Sequence, residues 1–114
     1  MNANFDCIFY YVHDLDRSVT FYTDVLGLHL ESRDDVARLR LDGVLVELVP
    51  APASIAILGT GNARLCLRVP DIHRSVAELK GMHVPVGEIH QVQNGIVGSL
   101  FDPDGNELAL WQYS

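Results

Sequence analysis

Val12-His-Asp-Leu-Asp-Arg-Ser-Val19 returns as Val69-Pro-Asp-Ile-His-Arg-Ser-Val76, with Val, Asp, Arg, Ser and Val in register 57 residues apart. The 114-residue chain therefore writes one unit twice. Each copy opens on an alternating apolar run and passes through an Asp suited to capping a helix. A unit this short cannot bury its apolar face alone, so the halves are expected to pack into one body with a cleft between them. One domain is expected, with module one at about 1–50, a connector at about 50–62 and module two at about 63–114.

The local signals agree with the repeat. In the first half, a β-branched and aromatic strand at 7–12 leads to Asp14 as N-cap, and Leu15, Val19, Tyr22, Val25 and Leu26 recur at helical spacing. Gly27 stands where a left-handed C-terminal residue belongs, and a strand follows at 29–33. The second half repeats this with a strand at 64–69, the cap Asp71, helix positions Ile72, Val76 and Leu79, and Gly81. Asp42-Gly43 between alternating runs predicts a type I′ hairpin that sets Leu39 against Val46 and Arg38 against Glu47. Asp102-Pro-Asp-Gly105 predicts a turn joining strands at 95–101 and 106–112. Residues 85–94 read as loop. Each half is thus strand, helix, then about three strands, an α+β chain of two tandem βαβββ modules.

Composition narrows the function classes. The net charge is −7, from four basic against nine acidic residues in 1–57 and four against six in 58–114. Such a chain repels phosphate backbones, so nucleic acid is not an expected partner. No apolar run approaches the roughly 18 residues of a membrane helix, and the N-terminal residues lack signal-peptide character, so the expectation is a cytoplasmic protein that contacts no membrane. Two cysteines without framework spacing read as reduced thiols.

A two-residue period sorts the strand faces. Ile8, Tyr10, Val12, Leu39, Leu41, Val44, Val46, Leu48, Leu65, Leu67, Val69, Leu108 and Leu110 are expected in the core. The opposite face then shows Cys7, Phe9, Tyr11, Arg38, Arg40, Leu45, Glu47, Val49, Arg64, Cys66, Arg68, Glu107, Ala109 and Trp111. Aromatic residues beside guanidinium groups suit a planar ligand bearing carboxylate, phenolate or enolate oxygens. The competing reading is a solvated sheet surface with ordinary charge pairs such as Arg38–Glu47.

Val12-x-Asp-Leu-x-Arg-Ser-x-x-Phe-Tyr22, Val25-Leu-Gly-Leu28, Val46-Glu-Leu48 and Phe101-Asp-Pro-Asp-Gly-Asn106, in this order, resemble the glyoxalase/bleomycin-resistance/extradiol-dioxygenase (vicinal oxygen chelate) superfamily. The resemblance implies a U-shaped mixed sheet around a cleft. In the family's enzymes, a single metal ion is held by residues from the first and last strands of each half. Carried onto this chain, those positions are Cys7, Glu47, Arg64 and Ala109. Only Glu47 has an expected ligand type, because an arginine repels a cation and an alanine has no donor.

The resemblance therefore implies a homodimeric, metal-independent small-molecule binding protein, with antibiotic sequestration as an example of its role, for an aromatic or anionic ligand and without a cofactor. Its ligand-binding residues are expected to be Cys7, Phe9, Tyr11, Arg38, Arg40, Glu47, Arg64, Cys66, Ala109 and Trp111. The alternative is a divalent-metal-dependent lyase or ring-cleaving dioxygenase with an altered site, for instance zinc on Cys7, Cys66 and Glu47, or a metal-free isomerase with Glu47 as base. None of the five histidines has the spacing of a helical zinc pair. His90, in the expected loop, is the one nearest to a ligand role.

Overall fold

A computed structural model describes residues 1–2, 4–53 and 63–114, so most of the connector at 50–62 lies outside the described residues. Two units emerge, Met1–Ile57 and Leu58–Ser114, and each carries its own four-stranded mixed sheet. The first contains β1 (Ile8–Val12), α1 (Leu15–Thr20), β2 (His29–Arg33), β3 (Ala37–Leu41) and β4 (Val44–Pro50). The second contains β5 (Cys66–Arg68), α2 (Ile72–Gly81), β6 (His90–Val92), β7 (Gly95–Phe101) and β8 (Glu107–Tyr113).

The sheet orders are β1-β4-β3-β2 and β5-β8-β7-β6. In each, the first strand pairs in parallel with the last, and an antiparallel meander fills the rest. The sequence repeat is therefore a repeat of topology. α1 packs on β4, and α2 packs on β7 and β8. No helix among the described residues is long and apolar enough to cross a membrane.

Both caps form as expected. Asp14 accepts from the Arg17 amide at 3.1 Å and Asp71 from the Arg74 amide at 3.2 Å, satisfying donors that a helix start leaves open. The first helix then departs from the simple period. After Thr20 it widens into a π-helical turn, Phe21–Val25, in which the Leu26 amide reaches back to the Phe21 carbonyl. The inserted residue rotates the apolar face. Phe21 and Tyr22 are both buried, whereas Val25 and Leu26 are only half-buried.

Gly27 is left-handed, with φ +79°, as its position predicts. Gly81 is not. The second helix runs on to Met82, and His83 takes the left-handed place at φ +62°. The His83 amide bonds the Lys80 carbonyl and the Val84 amide bonds the Leu79 carbonyl, closing a Schellman motif two residues later than expected.

The Asp42-Gly43 turn has both residues at positive φ, 48° and 82°, and sets Leu39 against Val46 and Arg38 against Glu47. That register fixes the faces. Val12, Leu39, Val46, Leu48, Leu65, Leu108 and Leu110 are buried, joined by Ala37, Leu28, Val84 and Leu100. Ile8, Tyr10, Leu41, Val44, Leu67 and Val69 are half-buried, since they lie on the first strands of the sheets or beside the turn.

Two strand expectations change. The segment 85–94 contains β6 and a bridge between Val86 and Leu100. The strand expected at 64–69 shortens to Cys66–Arg68, although backbone bonds from Ala109 to Leu65 and from Val69 to Trp111 extend its pairing at both ends.

Candidate functional site

On the face of the first sheet opposite the buried positions, Glu47 is held on both oxygens. The Cys7 thiol donates to Oε1 at 3.3 Å, and Arg38 Nε donates to Oε2 at 2.9 Å. Arg38 also approaches Asp34 at 3.6 Å. The Val36 amide, then Arg38, holds the Asp34 carboxyl below its usual range. Arg40 pairs with Glu31 at 3.0 Å and donates to the Gly43 carbonyl. Phe9 meets Tyr11 edge-on, ring centres 5.3 Å apart, and stays about half exposed (51%).

Partial burial, followed by the hydrogen bond to Glu47 and the charge of that carboxylate, pushes the Cys7 thiol up to about 11. From an ordinary 9.0, the thiolate fraction at pH 8 falls about 100-fold. In a Cys66→Ser background, iodoacetamide is therefore expected to alkylate Cys7 about 100-fold more slowly in the folded chain than in urea. The folded state binds this proton more tightly than the unfolded one. Its contribution is fully present below pH 9 and is lost as pH rises through 11. Equal alkylation rates in folded and unfolded chain would refute the assignment.

The second sheet is built differently on its corresponding face. Arg64 Nε pairs with Glu107 at 2.8 Å. Cys66 stands opposite Ala109 on one side and Ser99 stands opposite it on the other. Trp111 lies between Arg68 and Val97 in register and meets Tyr113 edge-on at 5.5 Å. Its buried Nε1 has no hydrogen-bond partner among the described residues. A hollow of about 320 Å³ opens on this face, with Val97, Ser99 and Ala109 among its lining. Arg64, Glu107, Glu88 and His90 supply its ionisable groups.

Of the expected ligand-binding residues, the structure joins Cys7, Arg38 and Glu47 in one network and pairs Phe9 with Tyr11. Arg40 is turned to Glu31. Arg64 and Ala109 line the hollow, Cys66 is the exposed neighbour of Ala109 in register, and Trp111 occupies the next layer. Glu88, Val97, Ser99 and Glu107 were not among the expected ligand-binding residues. Glu107 lay on the correct face by alternation, and the same two-residue period along β7 identifies Val97 and Ser99.

The four positions that the resemblance assigns to a metal do not fit one. The Cys7 thiol and Arg38 engage both oxygens of Glu47, Arg64 is a cation and Ala109 offers nothing. Among the described residues, no group of three or more His, Cys, Asp or Glu is arranged to hold a metal ion.

Comparison with known proteins places this geometry. Residues 4–110 match the family model of the Glyoxalase/Bleomycin resistance protein/Dioxygenase superfamily. The chain is 26% identical over 127 aligned positions to lactoylglutathione lyase GLX1 of Arabidopsis thaliana, covering 97% of this chain but only 44% of that protein. Its fold is similar to TnmS3, an antibiotic binding protein from Streptomyces sp. CB03234, with a TM-score of 0.77, 23% identity and full coverage of both chains. It is also similar to the fosfomycin resistance protein FosX from Listeria monocytogenes, with a TM-score of 0.81, 13% identity and coverage of 100% and 96%. With its two βαβββ units and a family match over nearly its full length, the chain belongs to the Glyoxalase/Bleomycin resistance protein/Dioxygenase superfamily.

Proposed function

We propose that this protein binds a small organic molecule without a metal ion and acts by holding it. The observation that carries this reading is the state of Glu47. A carboxylate whose two oxygens already accept from a protonated thiol and a guanidinium is poorly disposed to ligate a metal or abstract a proton. The fold likeness to an antibiotic binding protein is consistent with sequestration.

The expected aromatic or anionic ligand divides on these contacts. Aromatic character keeps its support from Phe9, Tyr11, Trp111 and Tyr113. The ground for an anion is reduced, because Arg38, Arg40 and Arg64 are each neutralised by a carboxylate. The second reading, a metal-dependent lyase with an altered site, is favoured by the identity to a protein named lactoylglutathione lyase, of which this chain spans less than half.

Elemental analysis of protein purified without added metal, combined with a thermal-shift screen of aromatic acids, amines and natural-product antibiotics, separates the two. The expected result is well under one metal ion per chain and a saturable rise in Tm with an organic ligand. A ligand at 100 times its Kd adds about 2.7 kcal/mol. Stoichiometric zinc, nickel, manganese or iron would overturn the reading.

A further inference from the structure

We infer that the hollow on the second sheet is a binding site for a compact aromatic cation, and that Ala109 is the residue that opens it. This deepens the binding-protein reading and rests on it. Register makes the argument. In the first sheet, one layer across the strands reads Phe9, Glu47, Arg38. The corresponding layer of the second sheet reads Cys66, Ala109, Ser99. Three long side chains, two of them joined by an ion pair, are replaced by three of the smallest. The about 320 Å³ of open space lies against Ala109 and Ser99. It falls at the lower end of the range for ligand pockets, which suits one or two rings rather than a large natural product.

The charges around the hollow select the sign. Glu88, Glu107 and Arg64 all line the hollow, and Arg64 is already committed to Glu107. Glu88 has no ion pair among the described residues, so the uncompensated charge of the three is negative. The chain's net −7 steers in the same direction. An amidinium or ammonium on a flat ring can meet Glu88, while the ring lies over Val97 and Ala109 with the His90 imidazole at the rim. Trp111, the only tryptophan in the chain, is the next residue on the same face of β8 and the register partner of Val97, so its emission reports occupancy.

The test is a fluorescence titration with benzamidine, using benzoate and benzyl alcohol as the anionic and neutral comparators. Saturable benzamidine binding, at least about tenfold tighter than benzoate, is expected. Ala109→Leu, and independently Ala109→Val in case the larger residue perturbs folding, should weaken benzamidine about tenfold or more while leaving circular dichroism unchanged. Glu88→Gln should bring it to the level of benzyl alcohol. The inference fails if benzoate binds as well as benzamidine, if both Ala109 variants bind unchanged, or if benzamidine gives no saturable signal. Should other organic ligands still raise Tm in any of those cases, the binding-protein reading survives without this site. Stoichiometric metal in protein that still binds benzamidine through Ala109 would remove the metal-free reading and leave the site standing.

Discussion

Asp102→Ala is expected to destabilise the protein by about 3 kcal/mol, which for a domain of this size lowers Tm by roughly 12 °C. Asp102 is one of two buried polar side chains among the described residues, Ser18 being the other, and it is only 4% exposed. One carboxylate oxygen accepts from the amides of Asp104 and Asn106 at 2.9 and 2.8 Å, and the other accepts from the Asn106 side-chain amide at 2.9 Å. The backbone closes around it, with the Asp102 amide donating to the Asn106 carbonyl and the Gly105 amide to the Asp102 carbonyl. Truncation leaves several part-buried donors without an acceptor, and such orphaned donors cost about 1–3 kcal/mol each when water cannot replace the partner. Asp102→Asn separates the contributions. It keeps an acceptor for the two backbone amides but opposes one amide group with another, so a loss near 1 kcal/mol is expected. Urea unfolding of the three proteins decides the matter. A loss below about 1 kcal/mol for the alanine variant would show that water replaces the carboxylate.

That turn also shows what the sequence makes legible. Pro103 and Gly105 announce a reversal by their backbone preferences alone, and the strands either side were placed to within a residue. The type I′ hairpin at Asp42-Gly43 was equally readable, and with it the opposition of Arg38 and Glu47. Local chemistry was enough because these features are closed by residues a few positions apart. The π-helical turn at Phe21–Val25 left no comparable trace. Both Phe21 and Tyr22 are large and apolar, and only packing decides that both enter the core. β6 was hidden for the opposite reason. His-Gln-Val shows no alternation, all three residues are exposed, and the strand exists because β7 presents an edge to pair with.

The candidate site divides along the same line. Alternation placed Cys7, Arg38, Glu47, Arg64, Ala109 and Trp111 on the faces they occupy. Beyond the Arg38–Glu47 pair, it could not reveal how their charges were already spent. Glu31 comes to Arg40 from β2, and Glu107 comes to Arg64 from β8, contacts that depend on strand order rather than on spacing. An arginine counted as open to a ligand in the sequence is thus closed by a carboxylate in the fold. Glu88 and His90 reach the hollow from a segment whose periodicity gives no face at all.

Two glycines three residues apart on β7 are expected to respond in opposite ways. Both Gly95 and Gly98 are buried, and both give up strand propensity. A Cβ on Gly95 would collide with the Gln112 carbonyl oxygen of the paired strand and come within 3.3 Å of Trp111 Cε2. The first obstacle is backbone held by the β7–β8 ladder, where Gly95 pairs with Tyr113, so relief requires the strand end to part. Gly95→Ala is therefore expected to cost about 2–4 kcal/mol and to shift Trp111 emission, since the indole edge sits over that glycine. At Gly98 the nearest atoms are the Ile72 and Ile89 side chains at 3.4 and 3.8 Å, ordinary contact distances. Gly98→Ala should be neutral or stabilise by up to about 1 kcal/mol, by removing backbone freedom from the unfolded chain. Thermal unfolding of both variants, read by circular dichroism and by tryptophan emission, tests the contrast. If Gly95→Ala melted within about 2 °C of the parent, a shift of under roughly 0.5 kcal/mol, the close approach of β8 to Gly95 would be wrong. The layer assignments that place Ala109 opposite Ser99 would then need revision, because they follow from the same ladder.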